Sequence, residues 1–229
     1  MKKKNRMLIY FLSLMTAVIM LFNVNAYGQK SSSTVTDIDG NAYHTVTIGI
    51  QVWMVENLKT TKYRDGTNIP NVTNNTAWAT LSTPGYCWYK NDPTNKNTYG
   101  ALYNWHTVST GKLCPTGWHV PTDDEWKVLT DYLGGLSIAG GKLKETGTGH
   151  WTIPNTGATN ASGFSALPGG DRVYSDGTFD GIGDYGCWWS AEQFAGPLAI
   201  QRFLFNNSSN VLRGSSFKTY GFSVRCVKD

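Results

Sequence analysis

Read along the chain, apolar residues first cluster in an unbroken run from Met7 to Phe22, in which only Ser13 and Thr16 are even mildly polar. Beyond it the pattern changes to short alternations broken every few residues by glycine, asparagine, threonine or serine. This is how a β-rich, loop-rich domain reads. The spacing predicts strands near Val35–Ile38, Tyr43–Ile48 and Gln51–Val55. Turns fall at Asp39-Gly40-Asn41 and at Gly49, and Asp-Gly between alternating apolar residues is a strong hairpin signal. Further strands are predicted at Cys187–Ser190, Gln201–Phe205, Val211–Gly214 and Phe222–Val227.

Helical spacing is clearest after Thr122. Thr122 with Glu125 three residues on forms a capping box, and Asp123 and Asp124 suit the positive end of the helix dipole. Trp126, Leu129 and Leu133 then share one face, and Gly134-Gly135 closes the helix. A second helix is predicted over about Tyr99 to Val108, presenting Leu102, Tyr103, Trp105 and His106. Helices early and a run of strands late argue for an α+β fold rather than a parallel α/β sheet.

The amino-terminal run is preceded by Lys2, Lys3, Lys4 and Arg6, with no acid among them, and followed by small residues at Ala26 and Gly28. Basic, apolar, then small is the order of a secretory signal, and the apolar run falls short of the roughly 20 residues that span a bilayer. Residues 1–28 therefore read as a cleaved signal peptide, with the cut after Ala26 or Gly28. Residues 29–34 read as a flexible lead-in and residues 35–229 as one domain. No cysteine precedes Cys87 to take a lipid at the new amino terminus, and no apolar tail precedes Asp229. The expectation is a product released to the periplasm or beyond, with no membrane contact after cleavage.

Export alters the charge reading. The four leader cations account for the whole formal net charge of +4, so the mature part is balanced and has no electrostatic motive for nucleic acid. It also alters the reading of Cys87, Cys114, Cys187 and Cys226. In an oxidising compartment an even number favours disulfides, with three pairings open. Zinc would need close pairs such as C-x-x-C, which are absent.

Longer motifs now become telling. Asp37-Ile-Asp-Gly-Asn-Ala-Tyr-His-Thr-Val-Thr-Ile-Gly and Gln51-Val-Trp-Met-Val-Glu-Asn-Leu-Lys-Thr-Thr resemble the opening of the Fibrobacter succinogenes major paralogous domain. So do Tyr99-Gly-Ala-Leu-Tyr-Asn-Trp, Cys114-Pro-Thr-Gly-Trp-His-Val-Pro-Thr-Asp-Asp-Glu-Trp, Gly163-Phe-Ser-Ala-Leu-Pro-Gly-Gly, Trp188-Trp-Ser and Ser223-Val-Arg-Cys-Val. Val120-Pro-Thr-Asp-Asp-Glu-Trp and the closing Val211-Leu-Arg-Gly-Ser-Ser-Phe and Gly221-Phe-Ser-Val-Arg-Cys-Val are similar, more distantly, to segments of formylglycine-generating enzymes, which share a C-type-lectin-like fold. The resemblance implies an irregular, β-rich α+β domain with two or three short helices and its termini brought together by strands. It implies a disulfide Cys114–Cys226, leaving Cys87–Cys187 by subtraction.

The chemistry of those enzymes does not carry over. The resemblance implies a close thiolate pair near the carboxyl terminus, where this chain has only Cys226. His44, His106, His119 and His150 form no His-x-x-x-His pair for an iron site. Gly181-Ile-Gly-Asp-Tyr-Gly matches a dinucleotide loop but leads into strand-like Cys-Trp-Trp-Ser instead of a helix. Glu125, Glu145 and Glu192 make a glycosidase pair only by guesswork. No cofactor is expected. Asp176, Asp180 and Asp184 recur every fourth residue and could hold calcium, although aspartate as a turn former is the ordinary reading. The Glu-Pro-Asn and Gln-Pro-Asp signatures of calcium-dependent lectins are absent. Sugar recognition would then rest on aromatic faces, with Trp78, Trp88, Trp151 and Trp188 as candidates. The expected role is a secreted, non-enzymatic domain binding a polysaccharide or another cell-surface component, such as a surface protein. The alternatives are an altered enzyme on the formylglycine-generating scaffold, or a structural module of an extracellular assembly.

Overall fold

A computed structural model describes residues 33–229; the leader and most of the lead-in lie outside them. In chain order the strands are β1 (Thr34–Thr36), β2 (Ala42–Ile48), β3 (Gln51–Met54), β4 (Tyr86–Cys87), β5 (Leu102–Tyr103), β6 (Trp118–His119), β7 (Gly169–Arg172), β8 (Phe179–Ile182), β9 (Tyr185–Ala195), β10 (Leu198–Phe205), β11 (Leu212–Phe217) and β12 (Val227–Lys228). The α-helices are α1 (Asn75–Ala79), α2 (Lys96–Tyr99), α3 (Trp105–Val108), α4 (Asp123–Tyr132) and α5 (Leu136–Leu143). The domain is α+β and β-rich, as its patterning predicts. It has two five-stranded sheets, in the orders β1-β2-β3-β12-β6 and β11-β10-β9-β7-β8, and a small β4-β5 pair.

The first sheet is fixed by turn chemistry. Asp37 Oδ1 accepts hydrogen bonds from the amides of Asp39 (3.0 Å) and Asn41 (2.9 Å), and Gly40 takes φ 82° between them. That turn lets β1 pair antiparallel with β2, in the register Val35↔Tyr43. The last strand, β12, enters between β3 and β6 through Val227, which faces Trp53 on one side and His119 on the other. The Cys114–Cys226 disulfide lies beside it, with a sequence separation of 112. A loop of that length constrains the unfolded chain by roughly 4–5 kcal/mol.

Helix α4 forms as its sequence dictates. Thr122 Oγ1 accepts from the Glu125 amide at 3.2 Å and Glu125 Oε2 accepts from the Thr122 amide at 2.8 Å, which completes the capping box. Trp126 and Leu129 are buried against Trp53, Phe164 and Trp188, and Gly134 at φ 99° ends the helix.

The helix predicted over 99–108 breaks into three pieces. Gly100 sits at φ 77°, where a side chain would collide with Asn57 and the Leu58 carbonyl. Leu102 and Tyr103 are then drawn into the β4-β5 pair opposite Cys87 and Tyr86. Asn104 Oδ1 caps the short α3 through the Thr107 amide at 3.1 Å. Here burial on every side overrode an apparent helical period.

The carboxyl-terminal part of the chain builds the second sheet. β9 and β10 pair over most of their length, with Cys187↔Phe203 and Tyr185↔Phe205. β11 closes one edge, while β7 and β8 close the other. Beneath it, charged side chains act as internal braces. Arg172 donates from Nε to the Gly177 carbonyl and from its guanidinium to Val72, Thr73 and Asn75, sandwiched between the rings of Trp78 and Phe179. Arg225 bonds the Phe164 carbonyl and Asn57 and stacks on Phe164. Lys144 Nζ donates to the carbonyls of Thr156, Phe205 and Ser208 at 2.9–3.0 Å. Neutral carbonyls thus replace the counter-ions that buried cations usually require.

Candidate functional site

The four tryptophans expected to meet a ligand are all buried. Trp78 donates from Nε1 to the Thr219 carbonyl (2.8 Å), Trp151 to the Ala166 carbonyl (2.9 Å) and Trp188 to Asn57 Oδ1 (2.9 Å). Trp88 packs edge-on to Tyr86 at 5.3 Å. Each indole N–H that found an internal acceptor could be buried without penalty. Trp78, Trp88, Trp151 and Trp188 are therefore core residues, and their faces are not open to a sugar.

The expected Cys87–Cys187 disulfide is absent. Both thiols are free and buried: Cys87 packs with Trp78, Tyr89 and Leu102, and Cys187 in a separate cluster with Trp189 and Phe222. Burial pushes the Cys87 thiol up to about 12 and raises Cys187 too, with Asp171 adding to the latter. Neither is a thiolate at neutral pH, which leaves no activated sulfur for oxidase-type chemistry.

The calcium candidates also separate. Asp176 Oδ1 is taken up by the amide and hydroxyl of Thr178, closing the β7–β8 turn, and Asp184 Oδ1 by the Thr152 hydroxyl. Among the described residues no group of three or more histidine, cysteine, aspartate or glutamate side chains is set to hold a metal ion. Of the glutamates considered for a glycosidase pair, two are engaged. Glu125 serves the capping box and His119, and Glu145 pairs with His150. The Gly181–Gly186 run links β8 to β9, with no helix after it.

Half-buried aromatics of the second sheet are instead brought together. In β10, Phe203 and Phe205 point to one face, and Arg202 and Leu204 to the other, since side chains alternate along a strand. Tyr185 of β9 meets Phe203 and Phe205, each at 5.7 Å between ring centres, and those two rings lie 5.6 Å apart. The row continues through Phe222 (5.7 Å from Phe203) to Tyr220 (5.1 Å), Tyr174 (5.0 Å) and Phe217 (4.4 Å). Phe222 and Trp189 are its floor, 4.4 Å apart and fully buried. Tyr174, Tyr185, Phe203, Phe205 and Tyr220 are half-buried and Phe217 is 38 % exposed. Two groups of partly exposed rings, Tyr185 with Phe203 and Phe205, and Tyr220 with Tyr174 and Phe217, are thus joined through the buried Phe222.

Under this strip lies Asp171, paired across β7 and β8 with Asp180. The Tyr185 hydroxyl donates to Asp171 Oδ2 at 3.1 Å and stands 3.4 Å from Asp180 Oδ2. Asp171 is 5 % exposed and its Oδ1 has no hydrogen-bond partner. Burial pushes its carboxyl up to about 7; the Tyr185 hydrogen bond works against this and the Asp180 charge adds to it. Burial and then Asp171 likewise raise Tyr185 and Tyr220.

A cleft of about 280 Å³ opens on the opposite face of the sheet, lined by Asp123, Lys127, Asp131, Leu136, Arg202 and Arg213 among others. Much of its charge is paired internally, although two arginines share one carboxylate and Arg202 Nε has no partner among the described residues. Arg202 and Arg213 reach Asp123 at 2.5 and 2.6 Å, and Lys127 reaches Asp131 at 2.5 Å. Partial burial works upward on the Asp123 carboxyl, but the hydrogen bonds from Arg213 and Arg202 outweigh it and hold it below its ordinary value.

The profile of the Fibrobacter succinogenes major domain matches residues 46–228. The chain belongs to that family. The match to the Fibrobacter succinogenes major domain starts within β2 and ends within β12, so it takes in the disulfide, the second sheet and the whole aromatic strip. No curated protein and no solved structure matches the chain.

Sequence reasoning missed the strip because it weighed tryptophan above phenylalanine and tyrosine. The one available signal was Phe203-Leu204-Phe205 inside a predicted strand, but with apolar residues on both faces the period does not say which ring faces out.

Proposed function

We propose that this domain is exported and non-catalytic, and binds a polysaccharide at or beyond the cell surface. The observation that carries the reading is the half-buried aromatic strip from Phe217 to Phe205, with the carboxyl of Asp171 beneath it. Sugar rings present flat C–H faces to aromatic rings and hydroxyls to nearby carboxylates, and the rings together with the exposed carboxyl of Asp180 beside Tyr185 supply both. Export draws support from the leader sequence and from the Cys114–Cys226 disulfide, which suits an oxidising compartment. No described helix is long and apolar enough to cross a membrane. The absence of catalysis draws support from the buried thiols and from Glu125 and Glu145, which are held by His119 and His150. We read the fold as a variant of the C-type-lectin-like and formylglycine-generating-enzyme scaffold, in which a disulfide joins the segment ahead of a helix to the last strand.

The test is retention on a panel of insoluble polysaccharides. The wild-type domain is retained on at least one, and the Tyr174→Ala/Phe205→Ala variant binds about thirtyfold more weakly, as expected for losing two ring contacts of ~1 kcal/mol each. Absence of retention on every glycan would sink the proposal.

A further inference from the structure

Resting on the polysaccharide reading, we infer that the strip takes a polymer bearing protonated amino groups, such as a deacetylated amino-sugar chain, and rejects uronate or sulfated chains. Charge complementarity carries this. Asp171 and Asp180 share the Tyr185 hydroxyl at one side of the strip. Asp184 precedes Tyr185, and Asp176 lies in the turn after Tyr174, so acids flank the strip at both ends. Asp180, Asp184 and Asp176 are exposed, while Asp171 is buried with Oδ1 unpartnered.

Cations near the strip are spent elsewhere. Arg172 is buried behind β7 against Val72, Thr73, Asn75 and Gly177, and Lys144 is locked onto three carbonyls. Lys218 donates to the Gly196 carbonyl and lies over Trp105. An anionic polymer would therefore meet three exposed aspartates against the single charge of Lys218. An ammonium group gains twice, from the carboxylates and from the faces of the rings.

A lysine-rich peptide carries the same charge, but peptide readers need pockets for alternate side chains. The rings here follow one another at 4.4–5.7 Å, and the cleft lined by Arg202 and Arg213 opens on the other face. Such a row suits repeated contact with a polymer of one ring type.

Depletion of the full domain at about pH 6 by chitosan, chitin, cellulose, polygalacturonate and immobilised polylysine tests the inference. The expected result is binding to chitosan about tenfold tighter than to chitin, none to polygalacturonate, and loss of the chitosan preference at about 0.5 M salt. Asp180→Asn/Asp184→Asn should weaken chitosan binding about tenfold and leave chitin or cellulose binding unchanged; Asp180→Asn alone serves if the double variant does not fold. Equal binding to chitosan and chitin, or acid variants that bind chitosan as well as wild type, overturns the charge inference and leaves the polysaccharide reading standing. Retention on polylysine alone replaces the glycan with a cationic peptide. Retention on nothing overturns both readings.

Discussion

Replacing Asp171 by asparagine keeps the size of the side chain and removes one titratable group from beneath the aromatic strip. In the folded chain this carboxyl is raised from 3.8 to about 7, chiefly by burial. Such a group stabilises the fold fully below its unfolded pKa, where both states are protonated. The contribution is lost as pH rises through the folded value, because the unfolded chain ionises first. A shift of roughly 3 units corresponds to about 4 kcal/mol across the full interval, and a side chain only 5 % exposed needs little discount for solvent. Chemical denaturation of wild type and Asp171→Asn at a series of pH values reports this contribution, together with its smaller coupling to Asp180 and Tyr185. Relative to the variant, wild type should lose on the order of 3–4 kcal/mol between about pH 4 and pH 8. Parallel stability curves over that range would refute the assignment of a buried, protonated Asp171.

Other consequences follow from single contacts. Peptide mapping without reduction should return Cys114–Cys226 linked and Cys87 and Cys187 free. Both free thiols should resist alkylation until denaturant is added, and reducing the disulfide should cost roughly 4–5 kcal/mol. Thr122→Ala removes one half of the capping box and should cost about 1 kcal/mol in thermal or urea unfolding. Gly141→Ala places a methyl against the Gly157 carbonyl inside the α5 packing. It should destabilise by about 1–3 kcal/mol, where an open helical site would gain from alanine.

The parts of the fold visible in the sequence are those fixed by local chemistry. Asp37, Gly40 and the alternation after them specify the first meander without help from the rest of the chain. Thr122 and Glu125 specify the start of α4 in the same way. Where long-range packing decides, local reading failed. Helix α5 has no counterpart among the predicted elements, and Gly140 and Gly141 lie inside it, where the loops at Asn210 and Gly157 approach too closely for a side chain. The disulfide expected from resemblance formed for Cys114–Cys226, whereas Cys87 and Cys187 were absorbed as small apolar residues into different clusters. The binding surface was misplaced for a related reason. Tryptophan offers the largest face, but it also offers the largest area to bury, and internal acceptors such as Asn57 Oδ1 and the carbonyls of Ala166 and Thr219 made that burial favourable. Some of the phenylalanines and tyrosines, Phe203, Phe205, Phe217, Tyr174, Tyr185 and Tyr220 among them, stayed partly exposed.

Oxidative footprinting of the domain with and without a bound polysaccharide reports ring by ring where the polymer lies. The strip predicts protection of Tyr174, Tyr185, Phe203, Phe205 and Phe217, with the exposed Tyr132, whose ring lies against Gly49, unchanged. Protection confined to the Asp123–Arg213 cleft, with the strip oxidised as fast as in the free domain, would contradict it.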